Sequence, residues 1–134
     1  MSAVYLDSGI FIALMSGRDR WHSQAVALFT GRTPRWSTSI LVISETYSWF
    51  LQRMGEEAAR SFRGLIDNLT GLDVLGATRE HHTEVGRMLD KLRGSKLTYV
   101  DASSLVHIGK KKIPCVWSTD HHLGLTGAEV HPRS

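Results

Sequence analysis

The stretch Leu97 to Leu123, LTYVDASSLVHIGKKKIPCVWSTDHHL, carries two aspartates placed where elements begin or end. Asp101 stands at the start of a helix predicted over Ala102 to Lys111. Asp120 follows an apolar run, Ile113 to Trp117, whose β-branched and aromatic content predicts a buried strand. If that strand joins a parallel sheet, the helix packs on the sheet face and runs antiparallel to it, so that helix start and strand end lie together. In open parallel α/β sheets the ligand crevice forms at the carboxyl ends of the strands, which is the edge both aspartates then share.

The N-terminal stretch repeats this arrangement. Ala3-Val4-Tyr5-Leu6 reads as a strand that stops at Asp7-Ser8-Gly9, after which Ile10 to Met15 resumes as a helix. Asp7 therefore falls at the same edge, although a lone aspartate before a helix also serves as an N-cap. His22 to Thr30 follows as an amphipathic helix stopped by Gly31, then Pro34 to Thr38 as a strand, with Ser39 as N-cap of a helix from Ile40 to Met54. In that helix Ile40, Ile43, Tyr47, Phe50, Leu51 and Met54 recur at helical spacing and define a broad apolar stripe, while Leu41, Val42 and Trp49 occupy the other side. Its one acid, Glu45, is then a charge in a helix that is apolar almost all round; a surface or salt-bridged glutamate is the alternative.

Gly55 breaks the pattern and Glu56 to Leu69 completes a helix hairpin, with Phe62, Leu65, Ile66 and Leu69 inward. Leu72 to Leu75 alternates like a strand, Thr78 caps a helix from Arg79 to Arg93, and Ala128 to Val130 is a last edge strand. This alternation predicts one layered α/β domain over residues 1–134 with a mostly parallel sheet.

With 134 residues and 42% apolar content, the chain has enough material for a single sizeable core. One cysteine, Cys115 in the apolar strand run, excludes an internal disulfide framework and suits a reduced, cytoplasmic setting. Asp7 interrupts the N-terminal apolar stretch and no basic region precedes it, so a soluble protein without a secretory signal or membrane span is expected. The net charge of +3 is compatible with a polyanionic partner without requiring one.

Two carboxylates about 5 Å apart repel by roughly 3 kcal/mol at an effective dielectric of 20, so Asp7, Glu45, Asp101 and Asp120 in one pocket need protons or a cation. Oxygen ligands alone suit magnesium or manganese, ions that can activate water and offset charge on a phosphodiester. Ser8 and Ser118 adjoin these acids, where they either orient ligands and water or only cap backbone groups.

YLDSG near the start, the mid-chain Ile43-Ser44-Glu45, LTYVDAS and VWSTDHHL together resemble the PIN domain, and within it the VapC type of toxin ribonuclease. The resemblance spans nearly the whole chain. It implies a three-layer α/β/α fold and magnesium- or manganese-dependent cleavage of RNA, with Asp7, Glu45, Asp101 and Asp120 as the acidic quartet and Ser8 and Ser118 at the hydroxyl positions. It also implies a homodimer and a cognate antitoxin, and Trp21 and Trp49 would suit an apolar interface. Ser118 stands where threonine is more usual, and Leu123 where an aromatic residue commonly follows the last aspartate.

Other signals are weaker. The seven histidines show no metal-ligand spacing that unites them, and His122 reads as a flanking residue that could meet a phosphate. Lys110-Lys111-Lys112 suits the dipole at a helix end. A receiver-like domain would show paired acids after the first strand, whereas Asp7 stands alone. A PIN-fold module that binds RNA or a partner without a toxin role is the remaining alternative.

Overall fold

The computed structural model describes residues 2–132. Its centre is β1 (Ala3–Leu6), flanked by β2 (Arg35–Ser39) and β4 (Cys115–Trp117), with β3 (Asp73–Leu75) and β5 (Glu129–His131) outside them. All four pairings are parallel, in the order β3-β2-β1-β4-β5. Parallel neighbours require crossovers, and the chain supplies helices for them. After β1 come α1 (Ser8–Met15) and α2 (His22–Thr30), after β2 come α3 (Ile40–Met54) and α4 (Glu56–Asn68), and after β3 come α5 (Arg79–Lys91) and α6 (Tyr99–Lys111). A 3-10 turn, His121–Gly124, leads from β4 to β5. The predicted α/β/α class holds, and no helix of the described residues is long and apolar enough to cross a membrane.

The strand register decides which side chains face which helices. Val4 pairs with Trp36 and Leu6 with Trp117, so the two tryptophans share a face, where the Phe29 ring of α2 meets Trp117 edge-on at 5.2 Å. Tyr5 points the other way, and its hydroxyl hydrogen-bonds the Ser104 hydroxyl of α6 at 2.8 Å. Phe62 of α4 joins the first side to its helices, with Phe11 at 5.5 Å and Phe50 at 5.7 Å. Each such pair adds about 0.5–1.5 kcal/mol beyond the area it buries.

Two helices differ from the sequence reading. In α3 the buried positions are Val42, Thr46 and Phe50, while Ile40, Leu51 and Met54 are 47%, 39% and 50% exposed. The apolar stripe is wider than the arc that α1, α4 and α6 cover, and apolarity alone does not say which arc is covered. Thr46 is accommodated because its hydroxyl donates to the Val42 carbonyl at 2.7 Å. Gly55, at φ +94°, supplies the left-handed turn into α4.

The second difference is α6, which starts at Tyr99 rather than Ala102. Thr98 is its N-cap and Asp101 lies inside the first turn, reciprocally bonded in a capping box. Residues Asp101 through Ile108 are all buried, because the sheet, α3 and α5 surround the helix. Its buried serines find partners, with His81 Nε2 of α5 at 2.6 Å from the Ser103 hydroxyl, whereas His107 stacks its ring on His81 at 4.2 Å and leaves its buried Nε2 without a hydrogen-bond partner among the described residues. Beside this pair a small cluster of Val85, Ala102 and Val106, apart from the main core, seats α5 on α6.

Burial, followed by the charges of His81, Lys110 and Lys111, lowers the His107 pKa from 6.5 to about 4. The folded chain therefore keeps His107 neutral while the unfolded chain takes up a proton near pH 6.5, so this residue's contribution is intact above that pH and is lost as the pH falls toward 4. His107→Phe should remove the loss. The stability difference between variant and parent is expected to shift in the variant's favour by on the order of 2 kcal/mol between pH 7 and 4, measured by denaturant unfolding across that range.

Candidate functional site

β1 and β4 are the neighbours at which strand order reverses: β2 and β3 extend to one side of β1, β4 and β5 to the other. At such a switch point the loops leave in opposite directions and open a crevice at the carboxyl ends. Asp7 follows β1 directly, and Ser118, Thr119 and Asp120 follow β4. The ladder runs one step past both strands, since Asp7 N–H donates to the Trp117 carbonyl at 3.0 Å and Ser118 N–H to the His131 carbonyl at 2.8 Å. Two buried side chains are thereby set against each other, and the Ser118 hydroxyl donates to Asp7 Oδ2 at 2.8 Å.

Asp7 occupies the N-cap position of α1 yet makes no side-chain cap bond. Ser118 also accepts from the Asp120 N–H at 2.9 Å, so one hydroxyl ties the two aspartates together. Asp120 in turn caps the 3-10 turn, its Oδ1 accepting from His122 N–H at 3.0 Å. Asp101 enters from α6, 9% exposed, with Oδ2 accepting from Thr98 N–H at 3.3 Å. Its capping duty fixes the carboxylate without consuming all of its acceptor capacity.

Glu45 arrives from the second turn of α3 and is exposed, which corrects the expectation of a charge inside a buried helix. The uncovered arc of α3 lets a glutamate stand there. Desolvation of its carboxyl raises its pKa, Asp101 and Asp120 raise it further, and a hydrogen bond from the Ser8 hydroxyl opposes them. Asp7 is more strongly affected: burial first, then Asp101 and Glu45, push its carboxyl from 3.8 up to about 7 against the pull of Ser118 and the Ser8 backbone. Asp7 thus feels the charge of Asp101 and Glu45, Glu45 that of Asp101 and Asp120, and Ser118 bonds Asp7 directly.

One residue of the crevice was assigned only a flanking role. His122 Nδ1 lies 3.2 Å from Asp120 Oδ1 and 3.8 Å from Asp101 Oδ2. Asp101, Asp120 and His122 offer ligand atoms that all lie within 4.8 Å of one another, a set that includes neither Asp7 nor Glu45. In sequence nothing separates His121 from His122. The turn does, because Asp120 caps the N–H of the second.

Oxygen donors held in mutual repulsion, together with the buried and unpartnered His122 Nδ1, fit a divalent cation. A concavity of about 550 Å³ near Arg35, Trp36, Asp73 and Lys111 is lined by none of these acids. The crevice is selected by its chemistry.

Fold and crevice together define an α/β/α protein of the PIN-like kind. The sequence matches the PIN domain over residues 4–128, and the chain belongs to that family. Among solved structures it is similar to VapC20 of Mycobacterium tuberculosis, described as a sarcin–ricin loop cleaving toxin, with TM-score 0.85 and 23% identity over 93% of this chain and 95% of that one. A toxin–antitoxin complex from Klebsiella pneumoniae gives TM-score 0.69 at 16% identity, covering 98% and 97% of the two chains. FitAcB from Neisseria gonorrhoeae gives 0.69 at 10%, covering 96% of each. At these identities the likeness carries the fold. No curated protein matches the sequence.

Two outcomes are expected of the metal-free protein. A raised carboxyl costs stability above its folded pKa and ceases to do so as the pH falls from about 7 toward 3.8, where the unfolded group also takes up its proton. Asp7→Asn should therefore be more stable than the parent at pH 8 by on the order of 2 kcal/mol, with the advantage shrinking toward pH 4. Thermal melts in chelator at several pH values measure this. The second concerns Gly9, where a Cβ would overlap the Thr119 hydroxyl and come within 3.3 Å of the Thr119 backbone nitrogen. Gly9→Ala should push the Ser118–Asp120 loop off α1 and cost roughly 1–3 kcal/mol, part of it restored by adding Thr119→Ala in a double-mutant cycle.

Proposed function

We propose that this chain is an endoribonuclease of the VapC toxin type, dependent on magnesium or manganese, that hydrolyses RNA phosphodiester bonds. The observation that supports the reading is the convergence of Asp101 and Asp120 at the switch-point crevice, with Asp7 tied to Asp120 through Ser118 and the pKa of Asp7 and of Glu45 raised. Asp101 and Asp120 would hold the cation most directly, Asp7 would complete its shell from the buried side, and Glu45 would act from the open side. A bound divalent ion supplies Lewis acidity and activates water. Ser118 keeps Asp7 and Asp120 in fixed relation. Ser8 beside Glu45 opposes the rise of its pKa.

The comparisons support this reading through the family and through structural relatives described as a toxin or a toxin–antitoxin complex. On the same grounds we propose an antitoxin partner that covers the crevice and a homodimer. One apolar surface open to association is the Ile40, Leu51 and Met54 side of α3. Trp21 and Trp49 are partly covered by Arg20 at 5.0 Å and Arg53 at 5.6 Å, and so are less suited to an interface than the sequence suggested.

The test is cleavage of RNA by the purified chain, with a sarcin–ricin loop oligonucleotide and an unstructured RNA of equal length as first substrates. Cleavage should require magnesium or manganese, stop in excess EDTA, and fall by at least about a hundredfold in Asp101→Asn, a loss comparable to removing one electrostatic element of a transition-state site. Full activity in EDTA would sink the reading.

A further inference from the structure

The crevice contains one contact that carboxylate chemistry does not explain. His122 Nδ1 has no exposed surface and no hydrogen-bond partner, yet faces Asp120 Oδ1 at 3.2 Å and Asp101 Oδ2 at 3.8 Å. The ring is held there by its own backbone, since the His122 N–H donates to Asp120 Oδ1 and Leu123 behind it is fully buried. The His122 side chain is 43% exposed, so its outer edge reaches water, which can satisfy a proton on Nε2. Nδ1 then presents a lone pair to two carboxylates. Three electron-rich atoms so arranged repel unless something positive lies among them.

We propose that His122 Nδ1 is a direct ligand of the divalent cation, and that this nitrogen makes the site prefer manganese to magnesium; the inference rests on the metal-dependent reading above. Adjacent ligands of an octahedral ion with bonds of about 2.1 Å stand roughly 3 Å apart, close to the His122–Asp120 separation. Magnesium takes oxygen ligands almost exclusively, whereas first-row transition ions accept imidazole. Asp120 bonds the His122 backbone while sharing the ion with its ring, so it acts both as ligand and as the group that orients a second ligand.

The rival account is that His122 carries a proton and serves as a counter-ion in place of a metal. The two accounts predict opposite signs. A ligand, when removed, weakens binding; a competing positive charge, when removed, strengthens it. Calorimetric titration of the metal-free chain with manganese and with magnesium, compared across the parent, His122→Ala, His121→Ala and Asp101→Asn, separates them.

The expected result is that His122→Ala weakens manganese by about tenfold or more, the lower end of what disturbing a metal's surroundings costs, and weakens magnesium by less. His121, whose ring is not in the ligand group, should leave both affinities unchanged when replaced. Pulsed electron paramagnetic resonance of bound manganese should show nitrogen coupling in the parent and in His121→Ala, absent in His122→Ala. That readout does not depend on activity. Unchanged or tighter manganese binding in His122→Ala, or no nitrogen coupling in the parent, overturns the assignment. If Asp101→Asn loses both ions while His122→Ala loses neither, the metal-dependent reading stands and the His122 ligand does not. If the parent binds neither ion, both fall.

Discussion

Like charges held in a poorly hydrated crevice repel, and much of this molecule is arranged to keep them there. The carboxylate of Asp7 is out of water, within reach of the charge of Asp101 and Glu45, and held by a serine that is itself buried. Such an arrangement persists only if the elements bearing the acids are fixed by contacts elsewhere. Here those contacts are the β1–β4 ladder, the Tyr5–Ser104 hydrogen bond across to α6, and the aromatic packing of Phe11, Phe50 and Phe62 beneath α1, α3 and α4. The core supplies stability and the crevice spends part of it.

The acids are not interchangeable, because each is held by different means. Asp7 is fixed by backbone pairing and by Ser118, Asp101 by a capping box, Asp120 by its own turn, and Glu45 by little beyond Ser8. Fixity falls from the buried end of the crevice to its mouth. A site built this way joins a firmly held floor to a rim with fewer contacts.

Much of this was legible in the sequence, and what was not has identifiable causes. Asp7, Asp101 and Asp120 could be placed at one edge because each sits where the hydrophobic period changes, a signal that depends only on chain order and the parallel-sheet rule. Thr98 was missed as the cap because Leu97 to Val100 lacks a clear period, so Asp101 took that role on paper. Glu45 was placed in the right helix and on the wrong kind of surface, since an apolar helix wider than its covered arc exposes residues such as Ile40 and Met54 that composition would bury. Ser103, Ser104 and His107 are polar residues that periodicity does not place, and contacts with Tyr5 of β1 and His81 of α5 take them inside. The inward turn of His122 depends on a hydrogen bond two residues long, below the resolution of any periodicity.

The bond from Ser118 to Asp7 spans 111 positions of the chain. A polypeptide emerging from the ribosome presents β1, β2 and the α3–α4 hairpin long before β4 exists, and the central strand must wait with one side unpaired until the last elements arrive. The crevice is therefore absent throughout most of synthesis. An unfinished chain lacks both the serine that holds Asp7 and the turn that brings Asp120 and His122 inward. Whatever the completed crevice does, a chain still being extended cannot yet do it.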